Sequence, residues 1–154
     1  MTKDNNDELF LLSLIPDEQK KRVFGQKYCD IDDEFLGFIN VYKYLSEIIP
    51  IHFTVIDLGC AYNPQCFYFT KHKKYIAVDS MDIIRFCSDN CELVSKTIED
   101  YIKSDIGELN IDETFAICSY VPPWGGDNIK MVRESFKNVF TFYPHGEQIN
   151  VFKT

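Results

Sequence analysis

Basic residues are in short supply in this chain of 154 residues: 16 Lys and Arg stand against 24 Asp and Glu, for a net charge of −8. A chain of that sign repels phosphate backbones, which argues against duplex nucleic acid as a ligand unless a partner subunit supplies the charge. The one basic cluster, Lys71-His72-Lys73-Lys74, reads as a solvated helix end and not as a binding stripe. Long apolar runs are missing too. The run from Leu9 to Ile15 is too short to cross a bilayer. Its flanks are Asp4, Asp7 and Glu8 on one side and Pro16-Asp17-Glu18 on the other, not the basic leader and small-residue cleavage site of a secreted chain. These absences predict a cytoplasmic protein with no membrane partner. Six cysteines are present (29, 60, 66, 87, 91 and 118), yet none forms a CxxC pair. Their irregular spacing predicts reduced, mostly buried thiols. Cys87 and Cys91 could share a helix face, but His52, His72 and His145 are scattered, so no metal site is expected. Internal repeats and low-complexity linkers are lacking. No Ser-His-Asp, HExxH or P-loop pattern appears, so hydrolase and kinase chemistry has no support.

What the chain has in quantity is aromatic side chains: 13 Phe and nine Tyr beside a single Trp, within a hydrophobic share of 45%. That is enough for a real core, and disorder and coiled coil fall away on composition. The length suits one domain over 1–154. Its first fifty residues read as helical. Residues 8–15 and 17–24 are short helical segments, the second closed by Gly25. Asp32 or Asp33 caps a longer helix whose apolar stripe is Phe35, Phe38, Ile39, Tyr42, Leu45 and Ile49, stopped by Pro50. From residue 51 the period changes. Short β-rich runs begin at Phe53, Tyr75, Leu93, Phe115, Val139 and Ile149, and helical stretches over 64–72, 81–90, 98–106 and 127–138 separate them. Runs that are apolar on both faces suit a parallel sheet covered on both sides. The expected fold is therefore α/β: a doubly wound, mostly parallel, Rossmann-like sheet over 51–154 under a helical N-terminal cover over 1–50. Only Pro144-His-Gly-Glu147 joins the last two runs, so the last strand is expected to be antiparallel.

The segment richest in chemistry is Val55-Ile-Asp-Leu-Gly-Cys-Ala-Tyr-Asn-Pro64. A strand runs into a tight turn of small residues, and Asn63 can cap a helix that starts on Pro64. In a doubly wound sheet this first strand–helix turn is where a ligand sits. Gly59 lets the backbone come close, and Asp79 ends the next strand, where a carboxylate can accept from ribose hydroxyls. A nicotinamide turn would read GxGxxG; here the positions are Gly59, Ala61 and Pro64, which fits poorly. The segment resembles instead the D-x-G-x-G-x-G motif of the class I S-adenosylmethionine-dependent methyltransferases, with Ala61 and Asn63 in place of two glycines. Ala61 would permit close approach if its φ were negative.

The resemblance spans roughly 53–143 and implies S-adenosylmethionine as cofactor. It implies Asp57, Gly59 and Ala61 at the methionine end, Asp79 on the ribose, and Ser80 and Met81 beside the adenine. Ile98 and Glu99 would lie at the adenine edge. Ser119-Tyr-Val-Pro-Pro-Trp124 is similar to the (D/N/S)-P-P-(Y/F/W) motif of methyltransferases that act on amino nitrogens, with Val121 where the polar residue belongs. By that likeness the Pro122 carbonyl and the Trp124 ring position the acceptor, with Ser119 or Tyr120 the substitute polar group. A proline carbonyl has a fixed direction and can disperse positive charge developing on nitrogen. Lys27, Tyr28 and Phe35 are further contacts from the N-terminal cover. Tyr62, Tyr68, Tyr120 and Tyr143 either recognise a flat substrate or belong to the core.

Two readings follow from the residues and the resemblance together. One is an enzyme that methylates an amino nitrogen of a small molecule or nucleotide-like acceptor. The other is a catalytically degenerate member of that fold serving as a binding or interaction module; Val121, the altered turn and the short stretch after the fifth strand favour it. The aromatic content leaves room for a homodimer.

Overall fold

The computed structural model describes residues 33–83, 85–119, 128–142 and 151–153. Helix α1 (Asp33–Ile48) leads into strand β1 (Thr54–Leu58). A 3-10 segment over Pro64–Phe69 precedes β2 (Lys74–Val78). Then come β3 (Cys91–Val94), α2 (Ile98–Ser104), β4 (Thr114–Ser119), α3 (Asn128–Ser135), β5 (Asn138–Phe142) and β6 (Val151–Lys153). They form one sheet in the order β3-β2-β1-β4-β5-β6. The first five strands run parallel, and β6 pairs antiparallel with β5. The chain reverses its direction of winding between β1 and β4, which opens a crevice at the C-terminal ends of these strands.

Alternation along each strand divides the core in two. Val55, Tyr75, Ala77, Phe115, Ile117 and Phe140 face one layer, where Tyr42 and Leu45 of α1 and Ile49 just after it meet Cys66 and Phe69. Ile56, Leu58, Ile76, Val78, Ala116, Cys118 and Val139 face the other, against Tyr101, Ile102, Val132 and Phe136. Two residues past Val55 on β1, Asp57 points into the α1 layer by the same parity, which is why an acid is buried there.

Two local expectations need correction. None of the described residues in 81–90 is helical. The crossover from β2 to β3 is short, and long-range bonds take over its polar groups. Phe86 N–H donates to Tyr62 O (2.8 Å) and Phe86 O accepts from Asn63 Nδ2 (3.0 Å). Asn90 Nδ2 donates to Phe69 O and His72 O. Arg85 donates to Ala77 O, Val94 O and Ser95 Oγ, at 3.2, 3.1 and 2.8 Å. A helix there would forfeit those ties. Asn63 is also not a side-chain cap: its backbone is left-handed, and its Nδ2 donates to Phe86 O and Cys91 Sγ while its Oδ1 caps no N–H.

The helical segments at 8–15 and 17–24, with Lys27 and Tyr28, lie outside the described residues. So do Tyr143 and the hairpin connection at 144–147. His72 is buried, its Nε2 within 2.9 Å of Ile49 O, while Lys71, Lys73 and Lys74 around it are exposed. Among the described residues no helix is long and apolar enough to cross a membrane.

Candidate functional site

The turn after β1 hangs from the end of β2. Gly59 N–H and Cys60 N–H both donate to Val78 O, at 2.8 and 3.1 Å. Ala61 N–H donates to Asp79 Oδ2 at 2.8 Å. Asp79 Oδ1 in turn accepts from Met81 N–H at 2.8 Å, and Asp79 N–H donates to Val94 O of β3 at 3.0 Å. Through its carboxylate and its backbone N–H, this one residue thus ties three strand ends together. Each of its oxygens retains a second acceptor direction, and the residue is half-buried with exposed Ser80 and half-buried Met81 beside it.

The turn itself is left-handed at every second residue: φ is 88° at Gly59, 51° at Ala61 and 67° at Asn63. Those are the three positions where the resembled motif carries glycine. The condition set for close approach at Ala61, a negative φ, is not met. The bonds from Ala61 N–H to Asp79 and from Asn63 N–H to Cys60 O fix the backbone there, and an alanine bears the cost, about 1 kcal/mol.

Asp57 is fully buried and bound by three side chains that the motif does not announce. Tyr42 and Gln65 donate to it at 2.9 and 2.8 Å, and Tyr75 at 2.6 Å. Burial pushes its pKa up to about 6, against the pull of those donors, and the negative charge of Asp79 pushes the same way. Gln65 Nε2 also donates to Cys60 O at 2.9 Å, so the carboxyl under the turn and the turn's own backbone share one amide. The neighbouring Cys60 thiol is held well above the usual range, first by burial and then by the two carboxylates. Burial also raises Cys118, on β4, to about 12.

Among the resemblance-based candidates, the structure brings Asp57, Gly59, Ala61, Asp79 and Met81 together around this turn, with Ser80 on its exposed side. Ile98 packs into the second core layer. Glu99 lies exposed at the start of α2 and pairs with Lys103 one turn on, which lowers its pKa. The cap of that helix is Thr97 Oγ1, accepting from Asp100 N–H. Ser119 ends β4, at the C-terminal end of that strand beside the crevice. Tyr120, Val121, Pro122 and Trp124 lie outside the described residues. Tyr62 is a core residue and Tyr68 is half-buried against it. Arg85 escaped sequence reasoning; its only signal was a lone cation amid Ile83 and Phe86. Five free cysteines are described, and no group of three His, Cys, Asp or Glu is placed to hold a metal among the described residues.

No family model matches the chain, and no curated protein does. Solved structures do. A candidate type II methyltransferase from Anaeromyxobacter dehalogenans is 15% identical, with a TM-score of 0.50 over 68% of this chain and 46% of that one. This chain therefore spans less than half the length of that protein. An rRNA methylase from Streptococcus thermophilus is 14% identical over 69% of this chain and 70% of that one, at a TM-score of 0.49. A candidate methyltransferase from Streptococcus mutans, solved with SAH, is 17% identical over 66% and 68%, at 0.48. At such identity the likeness is one of fold: the chain has the Rossmann-like methyltransferase fold.

Proposed function

We propose that this chain binds S-adenosylmethionine at the β1 turn and transfers its methyl group to an amino nitrogen of a small molecule or nucleotide-like acceptor. The observation that carries the reading is the pairing of a left-handed turn at Gly59, Ala61 and Asn63 with the Asp79 carboxylate across it, at the crevice of a methyltransferase fold. The residues fit the cofactor. Asp79 keeps acceptor capacity for ribose hydroxyls, Ser80 and Met81 flank it, and the turn backbone lies over buried Asp57. Bound there, S-adenosylmethionine would supply an already activated methyl group, so the protein's share is alignment and exclusion of water. Ser119 at the end of β4, followed by Pro122 and Trp124, would orient the acceptor amine.

One observation favours the alternative of a binding module without catalysis. The N–H groups of Gly59, Cys60 and Ala61 are all consumed by β2 and Asp79, leaving the turn fewer free donors than an open anion-binding loop offers. Calorimetric titration with S-adenosylmethionine tests binding. Asp79→Ala should weaken affinity by about tenfold or more, the loss expected for a charge-assisted bond. A thermal melt of the variant should confirm that it still folds. No heat at millimolar ligand would sink both the cofactor assignment and the enzyme reading. Binding without methyl transfer to any of a panel of amines, nucleotides and proteins would leave the module reading standing.

A further inference from the structure

Asp57 takes its charge into the core without a counterion. Its three bonding partners, Tyr42 from α1, Tyr75 from β2 and Gln65 from the 3-10 segment, are all neutral donors. Three donors on two oxygens suit a carboxylate; a protonated carboxyl would need one of these partners to turn and accept. The other titratable groups around it do not neutralise it. Asp79 is a second negative charge. The thiols of Cys60, on the turn, and Cys118, on β4, are held protonated by burial first and then by the charge of Asp57. Arg85 reaches Cys60 Sγ at 3.8 Å, but its other bonds go to two carbonyls and to Ser95. Among the described residues no ion pair includes Asp57 or Asp79. Asp57 lies where the sheet reverses, beside Ala77 on β2 and Ile117 on β4. Gln65 Nε2 bonds both its carboxyl and Cys60 O, so this charge lies one amide below the turn that the cofactor reading uses.

We infer that Asp57 makes the site selective for charge: it holds the sulfonium of S-adenosylmethionine more tightly than the neutral thioether of S-adenosylhomocysteine, and loses that preference when Asp57 takes up a proton. The inference rests on the cofactor reading above and deepens it. The two ligands share their adenosine and amino-acid ends and differ by one methyl group and one positive charge. A buried carboxylate acts on that charge with far less screening than one in water. When the methyl group passes to the acceptor, the positive charge goes with it, so the attraction ends with the reaction and favours release of the product. The carboxyl titrates at about 6, between the limits of ordinary buffers. A bound cation favours the ionised form. S-adenosylmethionine should therefore expel a proton from Asp57 near that pH, and S-adenosylhomocysteine should not.

Calorimetric titration with each ligand between about pH 5 and pH 7, in two buffers of different ionisation enthalpy, reads affinity and proton release together. At about pH 7 S-adenosylmethionine should bind about tenfold more tightly than S-adenosylhomocysteine, and that ratio should shrink about fivefold by about pH 5. In Asp57→Asn the ratio should no longer change with pH, and no proton should be released on binding. Tyr75→Phe takes one stabilising donor from the carboxylate and leaves its charge, so it should move the loss of selectivity to higher pH. Damage to the fold alone would weaken both ligands alike and leave the ratio untouched. A wild-type ratio that is the same at both ends of the pH range would overturn the inference. So would a pH-dependent ratio that survives in Asp57→Asn. Failure of both ligands to bind at any pH is a different result: it would overturn the cofactor reading itself, and this inference with it.

Discussion

Replacing Asp57 by Asn should flatten part of the chain's stability against pH. The buried carboxyl titrates at about 6 in the folded protein, where an unperturbed aspartate titrates at 3.8. The folded state therefore holds this proton more tightly than the unfolded state. Below the unfolded pKa the full benefit of that preference is present; it is lost as pH rises through about 6. At 1.36 kcal/mol per unit, a shift of about two units comes to about 3 kcal/mol. No discount for solvent screening applies, because the group is completely buried. Urea unfolding of wild type and Asp57→Asn at a series of pH values isolates this contribution, since other titrating groups cancel in the difference. The variant carries a constant offset: its amide would face donors, and Gln65 would have to turn its unpartnered Oε1 toward it and give up Cys60 O. The slope is free of that offset. Wild-type stability minus variant stability should fall by about 2.5 kcal/mol between about pH 4 and pH 7. A difference constant to within about 0.5 kcal/mol across that range would show that Asp57 is not poised by burial, and the account of the site's electrostatics would fail.

Three other perturbations follow from the same geometry. Tyr75→Phe removes the shortest donor to Asp57 and should cost about 2 kcal/mol at neutral pH, and less near pH 4 where the carboxyl is protonated; paired urea curves at the two pH values would show it. Ala61→Gly relieves a left-handed alanine and should raise stability by up to about 1 kcal/mol, seen as a higher urea midpoint at unchanged m-value. Arg85→Met removes one donor each from the Ala77 and Val94 carbonyls and the Ser95 hydroxyl. It should cost about 2 kcal/mol or more and, in hydrogen exchange, open residues 81–90 before the rest of the sheet.

The layered sheet was legible because its signal is redundant. Each of the runs at 53–58, 75–79, 93–95, 115–121 and 139–143 is apolar on both faces, and the structure places a strand at each, shifted by a residue or two. Stretches such as 98–106 and 127–138, whose helices form, carry their apolar residues on one stripe. The stretch at 81–90 carries Ile83, Ile84 and Phe86 near helical spacing as well, and still no helix forms. What decides there is tertiary: Asn63 donates to Phe86 O and Asn90 to Phe69 O across more than twenty residues, and Arg85 ties the carbonyls of Ala77 on β2 and Val94 on β3. A window over 81–90 contains both ends of none of these bonds.

The turn shows the same limit at the scale of one residue. The motif reading placed Asp57, Gly59, Ala61 and Asp79 around one turn, and the structure assembles them there. It could not say that Ala61 takes a positive φ, because local preference for an alanine points the other way. The reversal comes from Asp79. Its carboxylate accepts Ala61 N–H, and that bond, eighteen residues distant in sequence, holds the backbone in a conformation glycine would adopt freely. The same carboxylate is the group we propose for the ribose. A ligand that draws on Asp79 therefore competes with, or adds to, the bond that keeps Ala61 left-handed. Ala61→Gly separates the two cases: if binding must loosen the Asp79 tie, glycine, which needs no such restraint, should raise affinity for S-adenosylmethionine; if the ligand uses only the spare acceptor directions, affinity should stay within about twofold of wild type while stability rises.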